Sequence, residues 1–155
     1  MKKIKLTRGY EAIVDHSDFE DVSKYRWYYA HGYAVRTVYN NGKPYQLRMH
    51  RLLLNTPNGM DTDHVNRNRL DNRRKNLRVA SRSENVANSF VTKQNKSGYK
   101  GVSWKKSNSK WCAQIRFNNK VFHIGLYSDI KKAAKAYNKV AKKFFGKFAY
   151  LNKTK

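Results

Sequence analysis

Cysteine, acidic side chains and long apolar runs are all scarce in this chain of 155 residues. The single cysteine, Cys112, allows no disulfide within the chain and no thiolate cluster for structural zinc, so we expect it to be a small packing residue. No stretch has the length and apolar content of a transmembrane helix or a signal peptide, which argues against a membrane as a partner. These absences predict a cytoplasmic protein kept in a reducing environment.

Acidic residues number only 10 against 34 lysines and arginines, which gives a formal net charge of +24. The imbalance is largest after residue 96, where 15 basic residues stand against one acidic residue. A chain this basic repels itself unless a polyanion is near, so nucleic acid is the expected partner. The aromatic content of 14% is enough to build a core and argues against a disordered chain.

Hydrophobic patterns and turn signals predict an α+β protein made of two units. Residues 1–90 form the first unit and residues 97–152 the second, with a polar linker at 91–96 that shows no apolar pattern. The first 48 residues are predicted to be β-rich. The dipeptide Asn41-Gly42 lies between two β-like runs there and predicts a hairpin.

Two capping signals predict where helices begin. Ser17 and Glu20 have the capping-box spacing, which predicts a short helix over residues 18–24. Ser81 and Glu84 repeat this spacing and predict a second helix directly after them.

The second unit reads as a sheet covered by one helix. Its three β-like runs are Tyr99–Trp104, Lys110–Phe117 and Lys120–Leu126, and a helix follows from Ser128 as N-cap to about Phe145. The apolar stripe of this helix would cover one face of a three-stranded antiparallel sheet. The other face is polar, basic and open, which suits a sheet that lies in the major groove of DNA.

The stretch from Met60 to Asn88 has the composition of a site for hydrolysis of a phosphodiester. Asp63 and His64 lie in a short strand-like run, and an Asn- and Arg-rich loop follows them. Imidazole titrates near neutral pH and suits the activation of water, while a carboxylate is a hard oxygen ligand that suits Mg²⁺. Either amide of Asn85 or Asn88, one helical turn apart, would complete a metal site, and Asn85 is the better placed.

Four arginines of this stretch are candidates to hold the DNA backbone beside such a site, with a solvated face as the alternative. They are Arg67, Arg69, Arg73 and Arg74.

These residues resemble an HNH endonuclease of the phage homing type. The resemblance lies in His50-Arg51-Leu52, Asp63-His64, Leu70-Asp71-Asn72-Arg73, Asn76-Leu77-Arg78 and Ser81…Asn85…Asn88. The segment over residues 1–48 also resembles the N-terminal β segment of that type, in Leu6-Thr7-Arg8-Gly9-Tyr10, Val14-Asp15 and Tyr25-Arg26-Trp27. It implies a ββα-metal fold and a single divalent cation, Mg²⁺ or another such as Mn²⁺.

The same resemblance implies roles for individual residues. Asp63 and Asn85 would be metal ligands, with Asn88 as the alternative to Asn85, and His64 would be the general base. Asn76 would pin the loop so that His64 is oriented. A sixth residue, His50, precedes the motif as a possible accessory residue, either structural or within the site.

The second unit is similar to the AP2/ERF DNA-binding domain. The similarity lies in Ser97-Gly98-Tyr99-Lys100-Gly101-Val102, Lys110-Trp111-Cys112-Ala113-Gln114-Ile115, Ile124-Gly125-Leu126-Tyr127, Ala133-Ala134-Lys135-Ala136-Tyr137 and Leu151-Asn152. By that likeness, the side chains that face the groove are Lys100, Lys105, Lys110, Gln114, Arg116 and His123. Ser103 stands where the family has an arginine, so a base preference does not carry over.

The sequence therefore predicts a site-specific DNA endonuclease of the homing type, which binds double-stranded DNA as a monomer or weak dimer. The resemblance implies 3′-hydroxyl and 5′-phosphate ends, and an intracellular place of action in a bacterial host if a phage encodes the chain. The alternative is a non-catalytic, sequence-specific DNA-binding regulator that uses the AP2-like unit. A protein that coats RNA or DNA is a third class, favoured by charge alone.

Overall fold

The computed structural model describes residues 1–154 as an α+β protein with four small antiparallel sheets and four α-helices. The chain divides into two compact units, of which the first is Met1–Arg82 and the second begins at Ser83. This boundary lies before residues 91–96, which the sequence predicts as the linker. The third helix, Arg82–Asn88, therefore belongs almost wholly to the second compact unit. A functional division at 91–96 stays a prediction.

Among residues 1–154, no helix has the length and apolar character needed to cross a membrane.

The first unit contains three of the sheets and two helices. Its elements are β1 (Lys2–Lys5), β2 (Glu11–Val14), α1 (His16–Ser23), β3 (Tyr28–Ala30), β4 (Tyr33–Asn40), β5 (Lys43–Arg48), α2 (Met49–Leu54), β6 (Asp61–His64) and β7 (Leu77–Ala80). β1 pairs with β2, β4 lies between β3 and β5, and β6 pairs with β7. The hairpin predicted at Asn41-Gly42 is confirmed, with φ angles of 48° and 74° at these residues.

The start of α1 differs from the prediction. The helix begins at His16, so Ser17 lies inside it and is not the N-cap. Asp15 occupies the cap position, and its carboxylate accepts the backbone N–H of Arg74 at 2.7 Å instead of bonding the helix. A contact distant in sequence thus outweighs the local capping signal.

The core of the first unit holds the loop between β6 and β7 in place. Met49 and Val14 are fully buried in this core, and each such side chain stabilises the fold by about 1.5–3 kcal/mol. β2 contacts the loop through two backbone bonds: Ile13 N donates to Leu70 O at 2.8 Å, and Asn72 N donates to Ile13 O at 2.7 Å. The loop that follows β6 is therefore anchored to β2, whose Ala12 and Val14 side chains lie in the core.

The second unit has one sheet and one long helix. Its elements are α3 (Arg82–Asn88), β8 (Val102–Lys105), β9 (Lys110–Phe117), β10 (Lys120–Tyr127) and α4 (Ile130–Phe145). β9 is the central antiparallel strand, and α4 packs Ala133 and Ala134 against Val102 and Ala113. The predicted arrangement of three strands and one covering helix is present.

The two ends of α4 show one correction and one confirmation. The N-cap is Asp129, not Ser128, because the Asp129 carboxylate accepts the backbone N–H of Lys132 at 2.7 Å. At the other end, Gly146 follows the last helical residue with φ of +50°, as expected of a glycine stop.

Candidate active site

Asp63 and His64 lie at the end of β6 and are both buried, with exposed fractions of 4% and 5%. β6 pairs with β7 so that Asp63 faces Arg78 and His64 faces Leu77. Side chains alternate along a strand, so these two neighbours project to opposite sides of the β6–β7 pair. The pairing puts a carboxylate and an imidazole at one strand end.

Arg78 holds the Asp63 carboxylate by two bonds to the same oxygen. Its Nη2 lies 2.7 Å and its Nε 2.8 Å from Asp63 Oδ2. Arg78 is the cross-strand partner of Asp63, so the register of β6 and β7 sets this contact. The ion pair fixes the orientation of a buried, hard oxygen donor.

Asn72 orients the His64 ring. Asn72 is fully buried, and its Oδ1 lies 3.4 Å from His64 Nε2. The amide orientation follows from its other contact, because Asn72 Nδ2 donates to Leu70 O at 3.2 Å. Since Oδ1 only accepts, Nε2 of His64 must carry the proton of this long hydrogen bond, which makes Nδ1 the basic nitrogen of the neutral ring.

Burial lowers the pKa of His64 below its ordinary value, an effect opposed by the hydrogen bond to Asn72 and by the nearby carboxylates of Asp63 and Asp71. The imidazole is therefore neutral at pH 7, which is the form that accepts a proton.

His50 lies directly beside His64. The two rings are perpendicular, with centroids 5.0 Å apart, and His50 also contacts the ring of Tyr33 at 5.1 Å. Burial, together with the charges of neighbours that include His64, Arg48 and Arg69, lowers the pKa of His50 to about 3. His50 is thus a neutral wall of the His64 site.

Asn76 joins the two ends of the loop between β6 and β7. Its Oδ1 accepts the backbone N–H of Asn66 at 2.9 Å, and its Nδ2 donates to Asp71 O at 2.7 Å. Its backbone oxygen accepts the N–H of Val65 at 2.8 Å. These bonds hold the residues that directly follow His64. The role of Asn76 in orienting His64 stays a prediction.

Two of the four loop arginines bind carboxylates of the same unit. Arg73 reaches both oxygens of Asp71 at 2.6 and 2.7 Å, and Arg74 reaches both oxygens of Asp18 at 2.7 to 3.0 Å. The Arg73 guanidinium holds the pKa of Asp71 below its usual range, against the raising effect of burial. Both guanidinium groups therefore stabilise the loop, and their predicted contact with DNA stays a prediction.

The other two loop arginines differ from this pattern. Arg67 is half-buried and has a left-handed backbone with φ of 65°. Arg69 is exposed and lies over the ring of Tyr33, with its Cζ 4.7 Å from the ring centroid. Arg48 lies over the same ring at 4.8 Å. Tyr33 and Arg48 escaped the sequence analysis because neither belongs to a motif.

Asn85 and Asn88 both lie on α3, where Asn85 is half-buried and Asn88 is 4% exposed. Within residues 1–154, no three His, Cys, Asp or Glu side chains gather as a metal site. The predicted ligand set is one carboxylate plus amide oxygens, a different donor set from such a cluster, and its hard oxygens suit Mg²⁺ or Mn²⁺.

Five of the six predicted groove-facing side chains share one face of the second sheet. Side chains alternate along β9, and the cross-strand pairs Lys105–Lys110 and His123–Gln114 continue that face onto β8 and β10. All of these side chains are exposed: Lys105, Lys110, Gln114, Arg116 and His123. Cys112 is buried on the same face, with its Sγ 3.5 Å from His123 Nδ1. The face is polar and basic, as the sequence predicted.

Lys100, the sixth predicted side chain, has a different environment. Its ammonium group donates to the backbone oxygens of Val86, Ala87 and Ser89 at 2.7 to 2.8 Å. These are carbonyls of the last turn of α3 and the residue after it, where a lysine is favourable. Lys100 therefore joins α3 to the sheet unit, and contact with DNA is an untested prediction for it.

Comparison with known proteins shows which family this chain is similar to. A family model described as HNH endonuclease matches residues 55–87. The uncharacterized HNH endonuclease L560 of Acanthamoeba polyphaga mimivirus is 33% identical over 153 residues, which cover 94% of this chain and 76% of that protein. Protein 3.8 of Escherichia phage T7 is 38% identical over 64 residues, 41% of this chain and 53% of that protein. No solved structure gives a significant match.

Proposed function

Because the chain belongs to the HNH endonuclease family, we propose that it is a site-specific DNA endonuclease of the homing type, with His64 as general base and one divalent metal ion. The observation that carries the proposal is the pair Asp63 and His64 at the end of β6, followed by a loop that Asn76 closes. All three residues lie within the segment that matches the family.

His64 is proposed to take the proton from the attacking water on Nδ1. Its neutral ring and the contact of Nε2 with Asn72 support this assignment. The water oxygen forms a bond to phosphorus, the bond between phosphorus and the 3′ oxygen breaks, and the leaving 3′ oxygen takes a proton from solvent. The products are a 3′-hydroxyl and a 5′-phosphate, as the family resemblance implies.

Asp63 and Asn85 are the proposed metal ligands, with Asn88 as the alternative to Asn85. Asn85 lies within the segment that matches the family. Bound Mg²⁺ or Mn²⁺ would supply charge stabilisation at the phosphate and the leaving oxygen. Arg78 would keep the Asp63 carboxylate oriented for this task.

The second unit is proposed to bind double-stranded DNA through the face of its sheet that lies opposite α4, in the manner of an AP2/ERF domain. The exposed basic and polar side chains of that face support this role, and the +14 charge after residue 96 supports affinity for phosphates. We propose that one chain acts on DNA as a monomer or weak dimer, inside the cell that contains its target.

Nicking of supercoiled plasmid or phage DNA tests the proposal. Wild-type protein should nick DNA with Mg²⁺ and stop when a chelator is added. His64→Ala should lose roughly 10²–10⁴ in cleavage rate, the usual contribution of a general base, and keep its affinity for DNA. His16→Ala, at an exposed histidine of the same unit, is the matched control and should cleave like the wild type.

Cleavage by His64→Ala at the wild-type rate would exclude His64 as the base. A wild-type protein that binds a selected DNA sequence tightly but never cleaves it would favour the regulator instead.

A further inference from the structure

Two arginines converge on one aromatic ring beside His64. The Cζ atoms of Arg48 and Arg69 lie 4.8 and 4.7 Å from the Tyr33 ring centroid. The same ring lies 5.1 Å from His50 and 6.2 Å from His64, measured between centroids. Tyr33 thus places two positive charges at the wall of the candidate active site.

The position of Arg69 is built into the fold. Its Nη1 donates to His31 O at 3.1 Å. The neighbouring Gly32 has φ of +87°, and a Cβ there would lie 3.2 Å from Arg69 Cδ. A glycine at this turn therefore both permits the backbone conformation and leaves space for the arginine stem.

Arg48 and Arg69 have no carboxylate partner among residues 1–154, in contrast to the arginines closest to the Asp63 strand and its loop. Arg73, Arg74 and Arg78 each form an ion pair with an aspartate. Within the described residues, neither Arg48 nor Arg69 forms such a pair, and both are exposed. Their Cζ atoms are at most 9.5 Å apart, since the distances of 4.8 and 4.7 Å share one centroid. Two exposed guanidinium groups held this close, without a carboxylate of the described residues beside them, suit an anionic ligand.

We propose that Arg48 and Arg69, held against Tyr33, form a clamp for the phosphate backbone of DNA next to His64. The inference rests on the proposed function insofar as DNA is the substrate. Guanidinium groups bind phosphate oxygens in bidentate geometry, and an open, exposed pair suits a continuous polyanion. One strand carries a charge about every 3.4 Å of helix axis, so the two guanidinium groups are close enough to contact nearby phosphates of one strand. Such contacts set the position of the strand and read no sequence.

The salt dependence of DNA binding measures these contacts directly. The full chain is titrated with a short duplex in the presence of a chelator, and the logarithm of the affinity is plotted against the logarithm of the salt concentration. Arg48→Gln and Arg69→Gln should each reduce the steepness of this slope by roughly 0.9, and the double variant by about 1.8. Arg26→Gln, at an exposed arginine of the same unit, removes equal charge and should leave the slope unchanged.

A double variant with the wild-type slope would overturn the clamp, as would an Arg26→Gln slope reduced as much as that of Arg69→Gln. Arg48→Lys and Arg69→Lys are the controls for a folding defect. They replace the same side chains but keep the positive charge. These variants should keep the wild-type slope and lose cleavage rate, since lysine cannot make the planar bidentate contact. Loss of slope in the lysine variants would also contradict the clamp.

Failure of the clamp and failure of the proposed function give different results. The slopes are measured without divalent cation and need no cleavage. A wild type that never nicks DNA but shows the expected slope changes would refute the nuclease and keep the phosphate clamp. A wild type that nicks, with variants of unchanged slope, would refute the clamp alone.

Discussion

Asn72 contributes no surface to the protein, yet its side chain touches the candidate general base. Its amide connects Leu70 O on one side and His64 Nε2 on the other, and its backbone N–H is bound to Ile13 of β2. The orientation of the imidazole is thereby tied to a strand near the start of the chain.

Asn72→Ala should allow both neutral tautomers of the His64 ring to form. Without the acceptor at Nε2, the proton has no fixed position on the ring, so the cleavage rate should fall by roughly tenfold or more, up to the 10²–10⁴ of the base itself. The ¹⁵N chemical shifts of His64 at neutral pH should move from the Nε2–H pattern toward a tautomer mixture. Asn108→Ala, at an exposed asparagine, should change neither observable.

A loss of cleavage with unchanged His64 shifts would show that Asn72 supports the loop without setting the tautomer.

At the scale of elements, Gly101 determines how closely α4 approaches the sheet. It precedes β8 with φ of +71°, and a Cβ there would overlap the ring of Tyr137 on α4 and lie 2.6 Å from Gln114 O. The close approach of α4 to β8 and β9 thus depends on the absence of a side chain at Gly101.

Gly101→Ala should destabilise the protein by about 1–3 kcal/mol for the overlap, in addition to the cost of the left-handed backbone. Gly98→Ala isolates the backbone term, because Gly98 has φ of +72° with nothing within 4 Å of the added Cβ. Denaturant unfolding of the two variants should show the larger loss for Gly101→Ala. Equal losses would mean that the helix shifts to accept the methyl group.

Local patterns predicted elements well where the deciding contacts are also local. The Asn41-Gly42 hairpin and the glycine stop at Gly146 follow from backbone preferences alone. The starts of α1 and α4 were predicted incorrectly, since Asp15 bonds a loop far away and Asp129 competes with its neighbour Ser128 for the cap.

The same difference between local and distant contacts applies to the candidate active site. Asp63 and His64 are adjacent in sequence, and their chemistry is evident from that pair. Tyr33 lies near His64, and Arg48 lies over the Tyr33 ring, only because β4 pairs with β5, which no spacing rule contains. The bonds of Lys100 to the α3 carbonyls were likewise not evident from its sequence position, and its contact with DNA stays a prediction.

For the whole molecule, the boundary between compact units makes α3 part of the C-terminal half. Lys100 and the backbone N–H of Tyr150 both bond carbonyls of α3, the latter to Ala87 O at 3.2 Å. A fragment that begins at residue 97 would exchange these hydrogen bonds for bonds to water, a loss of about 0.5–1.5 kcal/mol for each.

A fragment from Ser83 to the end should therefore unfold at a higher temperature than a fragment from Ser97 to the end. Both contain the basic sheet face and should bind DNA with a steep salt dependence. Thermal unfolding by circular dichroism compares them, and substitution of Lys100 by Met in the longer fragment should remove most of its advantage. Identical melting temperatures would show that α3 adds nothing to the sheet unit.

The few carboxylates of this chain should tolerate substitution less well than its many basic residues. Four of the ten acidic residues form ion pairs with arginines, namely Asp18, Asp61, Asp63 and Asp71. A fifth, Asp15, accepts the backbone N–H of Arg74, which is itself ion-paired. The lysines of α4 are exposed and numerous, so exchange of any one is absorbed by the others. Natural variation should accordingly accumulate at basic positions, while replacement of an aspartate in the first unit removes a contact that no neighbour can duplicate.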